Sequence, residues 1–203
     1  FSRYMESRHL SESKTKEIGA LITRAGKRMF RLIEDLLELN QLEQGEAQIE
    51  IEAFDLIPFL DNLTQDFQAQ IQSKEQSLIC DWGNTDTITV KADPQRLRQV
   101  FENLLSNASK FSEAGTDITL TIKTTEKNTV EVWIKDQGPG IPKQELSQLF
   151  TRFAKLSPQP TAGESTTGLG LFISKSLTEA MGLKLSVESQ VGSGSQFGIV
   201  FPA

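Results

Sequence analysis

Apolar residues recur along residues 13–43 at alternating spacings of four and three, which is the a/d heptad pattern of packed helices. The positions in this pattern are Ile18, Ile22, Ala25, Met29, Leu32, Leu36 and Leu39. Leu21, Ile33 and Leu37 widen the stripe beyond a two-stranded seam, which favours a four-helix bundle. We therefore predict one long amphipathic helix that ends near Gly45, although such a helix could also pack on its own domain.

Beyond a short linker at residues 44–46, the pattern changes to shorter strands and helices. We predict strands at 47–54, 77–82, 87–91, 116–125, 129–136, 183–189 and 195–201. We predict helices at 56–73, 94–112, 142–149 and 168–181, the second of them capped by Asp93 with Pro94 as its first residue. This order indicates an α+β fold, a two-layer α/β sandwich with a mixed, mostly antiparallel sheet preceded by a long helix. The expected domains are residues 1–45, the end of one helix (1–10) plus a second helix, and residues 46–203.

The composition restricts the classes of function. A net charge of −6 over 203 residues argues against general nucleic-acid binding, which needs a basic surface. The single cysteine, Cys80, suits a reducing compartment, and its apolar neighbours predict a small core residue. No run of 18 apolar residues exists and the N-terminus has no signal-peptide pattern, so we expect a cytoplasmic location without membrane contact.

Residues 102–112 carry the first candidate for chemistry. Asn103, Asn107 and Lys110 stand at i, i+4 and i+7 and therefore share one face of the predicted helix. Two carboxamides and an ammonium group on that face could ligate a metal ion and hold phosphate oxygens. The alternative is an ordinary solvated polar face.

A second candidate is Asp136-Gln137-Gly138-Pro139-Gly140-Ile141, at the end of a predicted strand. Its carboxylate can accept a hydrogen bond from an amine such as the exocyclic nitrogen of adenine. Its glycines would let the backbone approach a flat ligand closely, although a tight turn after the strand explains them equally well.

A third candidate is Thr166-Thr167-Gly168-Leu169-Gly170-Leu171, where a loop rich in Ser, Thr, Pro and Gly meets a helix N-terminus. Free N–H groups and the helix dipole there suit a phosphate chain. It is not a Walker P-loop, because no Gly-Lys-Ser/Thr follows, and a glycine-started helix is the plain alternative. We predict that the loop, residues 154–167, is mobile, and we assign Gly192-x-Gly194 to a structural turn.

In this order and spacing, the segments resemble the ATP-binding domain of sensor histidine kinases, within the gyrase/chaperone/kinase ATPase superfamily. Residues 102–112 resemble the N box, 136–141 the first glycine box, 149–153 the F box and 168–171 the second glycine box. Residues 13–45 resemble the second helix of the dimerisation domain.

The resemblance implies ATP and Mg²⁺ as cofactors, with Asn107 as a ligand of the metal, Lys110 at a phosphate and Asp136 at the adenine amine. Further residues implied to contact the nucleotide are Gly138, Gly140, Ile141, Thr167, Gly168, Leu169, Gly170 and Leu171. Phe150 and Phe153 would anchor the base of an ATP lid formed by residues 154–167, while ordinary core packing is their alternative. The partners implied are a second copy through residues 13–43 and a response-regulator receiver domain.

Asn103 bears on the reaction type. In the ATP hydrolases of the superfamily, the position four before the magnesium asparagine resembles a glutamate that activates water. An amide cannot act as a general base, and the nearest carboxylate, Glu102, is turned by about 100° around the helix. The resemblance therefore implies transfer of the γ-phosphoryl group to a histidine, with Asn103 and Lys110 as the catalytic positions. Alternatives are an ATP-hydrolysing member, a serine kinase of the same fold, or a nucleotide-binding dimerisation module without activity.

The phosphoacceptor pattern of the family, a histidine followed by an acidic residue and soon by proline, does not occur in this sequence. His9 is followed by Leu10 and Ser11, and the first proline is Pro58. We therefore predict that His9 is not the acceptor and that the accepting histidine lies upstream of Phe1.

Overall fold

The computed structural model describes residues 12–83, 87–125, 129–164 and 166–202, without the side chains of residues 12, 13 and 24. The predictions for residues 1–10, including His9, and for the hairpin tip at 126–128 lie outside the described residues.

The predicted long helix is confirmed as α1, Glu12–Glu43. It ends before Gly45, which has a φ of 68°. The amides of Glu46 and Ala47 then donate to the carbonyl of Gln41 at 2.9 and 3.1 Å, closing the helix end. The strand predicted at 47–54 is wrong over residues 47–51, because the chain first closes the helix end and the strand begins only at Glu52.

The remaining elements follow the predicted order. They are β1 Glu52–Asp55, α2 Leu56–Gln72, β2 Ser77–Asp81, β3 Thr89–Ala92, α3 Pro94–Phe111, β4 Asp117–Thr124, β5 Val130–Lys135, α4 Gly170–Ala180, β6 Lys184–Gln190 and β7 Gly194–Phe201. One sheet has five strands in the order β2-β4-β5-β7-β6, antiparallel except for the β2–β4 pair, and β1 pairs with β3 separately. The expected α+β sandwich with a mostly antiparallel sheet is therefore confirmed.

The core lies between the five-stranded sheet and helices α2, α3 and α4. The predicted hairpin forms, with Leu120 opposite Ile134 and both side chains fully buried. From the other layer, α3 contributes Phe101, Leu104 and Leu105, none of them more than 1% exposed. Helix α3 is thus fixed in the interior of the sandwich.

Two local predictions are wrong. The helix expected at 142–149 is only a 3₁₀ turn at Leu146–Gln148, because the chain after Pro142 closes a turn in which the Glu145 amide donates to the Pro142 carbonyl at 2.8 Å. Cys80 is exposed rather than buried, because β2 is an edge strand of the sheet.

Helix α1 packs on the sandwich along one side. Leu39 is buried there, and Leu32 and Leu42 are half-buried against the core. Large apolar side chains are exposed on the rest of the helix: Leu21, Ile22, Met29, Phe30, Ile33, Leu36 and Leu37. Packing on its own domain therefore accounts for only part of the heptad pattern. Among the helices of the described ranges, none has the length and apolar content needed to cross a bilayer.

Candidate functional site

A cavity of about 1480 Å³ lies between α1, α3, α4 and the lid, residues 154–167. Most of the predicted site residues line it: Asn103, Asn107, Lys110, Asp136, Gly140, Ile141, Thr167, Gly168, Gly170 and Leu171. Four others, Gly138, Phe150, Phe153 and Leu169, are not part of its wall. The fold thus brings three segments that are distant in sequence to one cavity.

The start of α3 sets the register of its polar face. The carboxylate of Asp93 accepts from the amides of Gln95 and Arg96 at 2.9 and 3.0 Å, and Pro94 is the first helical residue, as predicted. Burial alone would raise the pKa of Asp93, but hydrogen bonds from backbone amides, including that of Glu50, hold the pKa below its ordinary value. A cap that is ionised at neutral pH therefore fixes the helix.

Asn103 contacts protein. Its amide nitrogen donates to the Ser174 hydroxyl of α4 at 2.8 Å, and its Oδ1 lies 2.4 Å from where a Cβ of Gly170 would stand. Any side chain at residue 170 would therefore collide with Asn103. The pair joins α3 to the start of α4, a role for Asn103 that the sequence did not indicate.

Asn107 lines the cavity, and no hydrogen bond engages its carboxamide within the described part of the chain. Its oxygen is therefore available to a hard cation. The described residues include no group of three or more Asp, Glu, His or Cys that could enclose a metal. This arrangement fits Mg²⁺, which typically takes one or two protein oxygens and completes its shell with phosphates and water.

Lys110 lies half-buried beside residues of α1 and the lid. Burial lowers the pKa of its ammonium group, and the charge of Arg31 lowers it further, while Glu164 and Asp35 act in the opposite direction. Two cations at this end of the cavity suit phosphate oxygens. Arg31 and Asp35 were missed by the sequence interpretation, because nothing local in an amphipathic helix marks which polar residues will face another domain.

Asp136 is buried, with 5% of its surface exposed. Its Oδ1 accepts from the amides of Gly138 and Ser195 at 2.8 and 3.1 Å, and no group of the described chain donates to Oδ2. Burial raises the pKa of Asp136, and the two amide bonds oppose the rise. The carboxylate is therefore held rigidly by one oxygen and can accept a donor from the cavity with the other.

The turn between β6 and β7 packs against the main chain of residues 136–139. Gly194, with a φ of 87°, would place a Cβ 2.1 Å from the Asp136 carbonyl oxygen, and the Gly192 amide donates to the Pro139 carbonyl at 2.8 Å. The structural assignment of Gly192-x-Gly194 is consistent with these contacts. Gly140, with a φ of 71°, is confined in the same way, because a Cβ there would stand 2.1 Å from the Gln190 carbonyl oxygen. Close packing of the backbone thus explains Gly140 and Gly194, whereas Gly192 has open space around it and is favoured by its φ of 80°.

The two phenylalanines predicted at the base of the lid differ from each other. Phe150 is half-buried against the core, with the ammonium group of Lys175 5.7 Å from its ring centroid. Phe153 is 56% exposed, and its backbone, not its ring, lies 2.8 Å from where a Cβ of Gly168 would stand. The ring of Phe153 is thus largely exposed while its main chain packs against Gly168, and the anchoring of the lid by the two phenylalanines stays a prediction. Leu169 is a fully buried core residue, so its side chain cannot line the cavity.

Helix α1 closes the cavity through polar contacts as well. The Thr167 hydroxyl donates to the Asp35 carboxylate at 3.0 Å, next to the second glycine segment. Glu38 accepts from Arg96 at 3.0 Å and from Gln99 at 2.6 Å, and Glu43 pairs with Arg152. Burial raises the pKa of both Asp35 and Glu38 above their ordinary values. The long helix and the sandwich therefore share one wall of the site.

Comparison with known proteins agrees with this geometry. Residues 92–203 match the sequence profile of the family described as histidine kinase-, DNA gyrase B-, and HSP90-like ATPase. The match begins just before α3 and contains all the predicted site residues.

Curated relatives and solved structures extend the likeness over α1. The circadian input-output histidine kinase CikA of Synechococcus elongatus is 35% identical over 95% of this chain and 26% of its own length. Full-length ShkA, in a crystal structure with AMPPNP, has a TM-score of 0.76 at 27% identity, covering 97% of this chain and 40% of that one. Histidine kinase ThkA, in complex with the response regulator TrrA, has a TM-score of 0.78 at 21% identity over 100% of this chain and 55% of that one, which shows the fold alone.

The chain spans only 17 to 32% of the length of the curated relatives CikA, EvgS and SrrB. Those proteins therefore carry much more chain than the part compared here.

Proposed function

Because this chain belongs to the histidine kinase-, DNA gyrase B-, and HSP90-like ATPase family, we propose that it is the catalytic part of a sensor histidine kinase, binding Mg-ATP and transferring its γ-phosphoryl group to a histidine imidazole. The observation that supports this most directly is the single cavity that holds Asp136, Asn107 and Lys110. Asp136 would be a rigid hydrogen-bond acceptor for adenine, Asn107 would offer an oxygen ligand to Mg²⁺, and Lys110 would offer a cation to the phosphates.

In the proposed reaction, the imidazole nitrogen forms a bond to the γ-phosphorus while the bond from that phosphorus to the bridging oxygen breaks and ADP leaves. The chain contributes positioning and charge neutralisation rather than covalent chemistry. Lys110, with Arg31 near it, would balance the negative charge on the phosphates. Mg²⁺ held by Asn107 would supply further charge neutralisation when bound.

The contacts around α3 favour transfer over hydrolysis. Asn103 is an amide already hydrogen-bonded to Ser174. Glu102, the neighbouring carboxylate, accepts from Arg98 at 2.8 Å. An amide cannot act as a general base. Glu102 lines the cavity but is already engaged by Arg98, so we expect transfer to be favoured over hydrolysis.

The proposed function includes two protein partners. A second copy would pack on the exposed apolar stripe of α1, and a receiver domain would take the phosphoryl group, as the complex of the fold neighbour ThkA with its response regulator suggests. The accepting histidine stays a prediction: it would lie upstream of Phe1, not at His9. Incubation with γ-labelled ATP should leave this chain without acid-labile phosphohistidine, whereas a chain extended upstream should become labelled. Labelling that His9→Ala removes would contradict the assignment.

The nucleotide site is tested by Asp136→Ala. Loss of a hydrogen bond to a charged group costs about 1.5–3 kcal/mol, so we expect ATP affinity to fall by roughly 10- to 100-fold in calorimetry. Asp81→Ala, at an exposed carboxylate on the sheet edge, is the matched control and should bind like the wild type. Unchanged affinity in Asp136→Ala would refute the adenine assignment.

The raised pKa of Asp136 adds a dependence on pH. The ionised carboxylate is a better hydrogen-bond acceptor for the adenine amine than the protonated carboxyl group. Binding of a proton to Asp136 therefore competes with binding of ATP. We expect the affinity advantage of the wild type over Asp136→Ala to shrink as pH falls through that pKa, which lies above the ordinary range of an aspartate. An advantage that stays constant down to the ordinary range would contradict the role of the buried carboxylate.

A further inference from the structure

Lys74 occupies a position that the proposed reaction does not use. It stands in the turn after α2, where Glu75 has a φ of 57° and the Lys74 amide donates to the Ile71 carbonyl at 3.1 Å. The turn is also tied to the chain after α3, because the Gly115 amide donates to the Glu75 carbonyl at 3.0 Å. The side chain of Lys74 is only 16% exposed, so this turn places a largely buried ammonium group at a defined point.

The ammonium group of Lys74 lies at the C-terminal end of α3. It donates to the carbonyl of Ser109 at 2.7 Å and to that of Lys110 at 3.3 Å. The last carbonyls of a helix have no partners within the helix, and a cation is favoured there by the helix dipole. Lys74 therefore donates to the main-chain carbonyl of Lys110, the residue whose side chain lies at the cavity.

The lid reaches the same point. Lys74 also donates to the Glu164 carboxylate of the lid at 3.1 Å. The Thr161 amide donates to the Lys110 carbonyl at 2.9 Å, and its hydroxyl donates to the Ser112 carbonyl at 2.9 Å. The segment 161–164 thus covers the end of α3, and one ammonium group bridges the helix and the lid.

The ion pair between Lys74 and Glu164 is partly buried and held in place by a further hydrogen bond, unlike a fully exposed surface pair. The Glu164 side chain is 29% exposed, and its second oxygen accepts from the Ala162 amide at 2.9 Å, which fixes the carboxylate within the lid. Burial would raise the pKa of Glu164, but hydrogen bonds from its own backbone amide, from Lys74 and from the Ala162 amide hold that pKa below its ordinary value, so the carboxylate is ionised at neutral pH.

We propose that Lys74 is a positioning residue for the nucleotide: it joins the C-terminal end of α3 to lid segment 161–164 and thereby keeps the lid closed over bound ATP. This inference rests on the proposed ATP site. It assigns the retention of nucleotide to a residue outside all four segments that resemble the family boxes.

The test measures release of a fluorescent ATP analogue by stopped flow in Lys74→Met and Glu164→Gln. Each variant removes one side of the ion pair, and we expect each to raise the dissociation rate by up to about fivefold, with association little changed. Lys74→Arg keeps a cation that can donate to the Ser109 carbonyl and to Glu164, so it should stay near the wild type. Glu179→Gln, which removes an exposed ion pair to Lys175 on α4, is the matched control and should not change the rate.

A second readout needs no nucleotide. Hydrogen exchange of the Thr161 and Ala162 amides in the free protein should accelerate in both Lys74→Met and Glu164→Gln. If Lys74→Met changes both readouts while Glu164→Gln changes neither, Lys74 only caps α3 and the proposal is overturned. The same holds if neither variant changes either readout. Absence of ATP binding to the wild type with accelerated lid exchange would refute the proposed function while leaving the contact between Lys74 and the lid established.

Discussion

Helices α1 and α3 are both amphipathic, yet the chain completes the packing of only one of them. Helix α3 has 18 residues, and seven of them are buried in the sandwich. Helix α1 has 32 residues, of which Leu39 is the one buried apolar residue among those whose side chains are described. The difference is one of available partners: α3 lies between a sheet and two helices, whereas α1 meets the sandwich along one side.

The same kind of amphipathic pattern therefore has different consequences in α3 and in α1. In α3 the apolar face fixes the helix, and the polar face is thereby aimed into the cavity. In α1 the stripe facing the sandwich places Arg31 and Asp35 at the cavity, while the wider stripe remains exposed. An exposed apolar surface of this length is typical of a protein interface.

The largest effect is expected from Ile33→Glu combined with Leu36→Glu on the exposed stripe. Burial of such a side chain contributes about 1.5–3 kcal/mol, so two charges there should abolish association in sedimentation experiments. Leu32 belongs to the same heptad pattern but is unsuitable as a target, because it packs on the sandwich. Lys27→Glu, elsewhere on α1, is the control and should leave association intact. A strictly monomeric wild type would remove the support for a dimer through this stripe.

Next in size is the loss of core packing in α3. Leu104→Ala should lower the free energy of unfolding by about 2–5 kcal/mol, since Leu104 is 1% exposed and its loss leaves a cavity. The matched change Leu37→Ala, at a residue 59% exposed on α1, should stay within about 0.5 kcal/mol at concentrations where the chain is monomeric. Denaturant titration measures both, and equal losses would show that the two helices do not differ as described.

The smallest effect concerns the polar contact between the two helices. Glu38→Gln removes the charge that accepts from Arg96 and Gln99, and such a pair contributes about 0.2–1 kcal/mol. We expect faster hydrogen exchange in α1 around residues 35–43 with the sandwich unchanged. Glu34→Gln, an exposed carboxylate on the same helix, serves as the control. Equal exchange in the two variants would mean that the contacts of Glu38 with Arg96 and Gln99 do not help to hold α1 to the sandwich.

Much of the site could be predicted because its signals are local. The period of 3.6 places Asn103, Asn107 and Lys110 on one face whatever surrounds the helix, and Asp93-Pro94 marks its start. Glycine segments at the end of a strand and at the start of a helix can likewise be recognised in the sequence. The contacts that require these glycines, such as that between Gly170 and Asn103, cannot be predicted from it.

The sequence by itself determined the long amphipathic helix, the order of elements, the polar face of α3 and the segments that line the cavity, because each depends on spacing within a few turns or one strand. Only the tertiary structure decided which side of α1 meets the sandwich and that Asp35 contacts Thr167. It also decided that the backbone of Phe153 packs against Gly168 and that Lys74 bridges the end of α3 to Glu164. These contacts join residues far apart in the chain, and their geometry depends on how separate elements pack, which no local periodicity encodes.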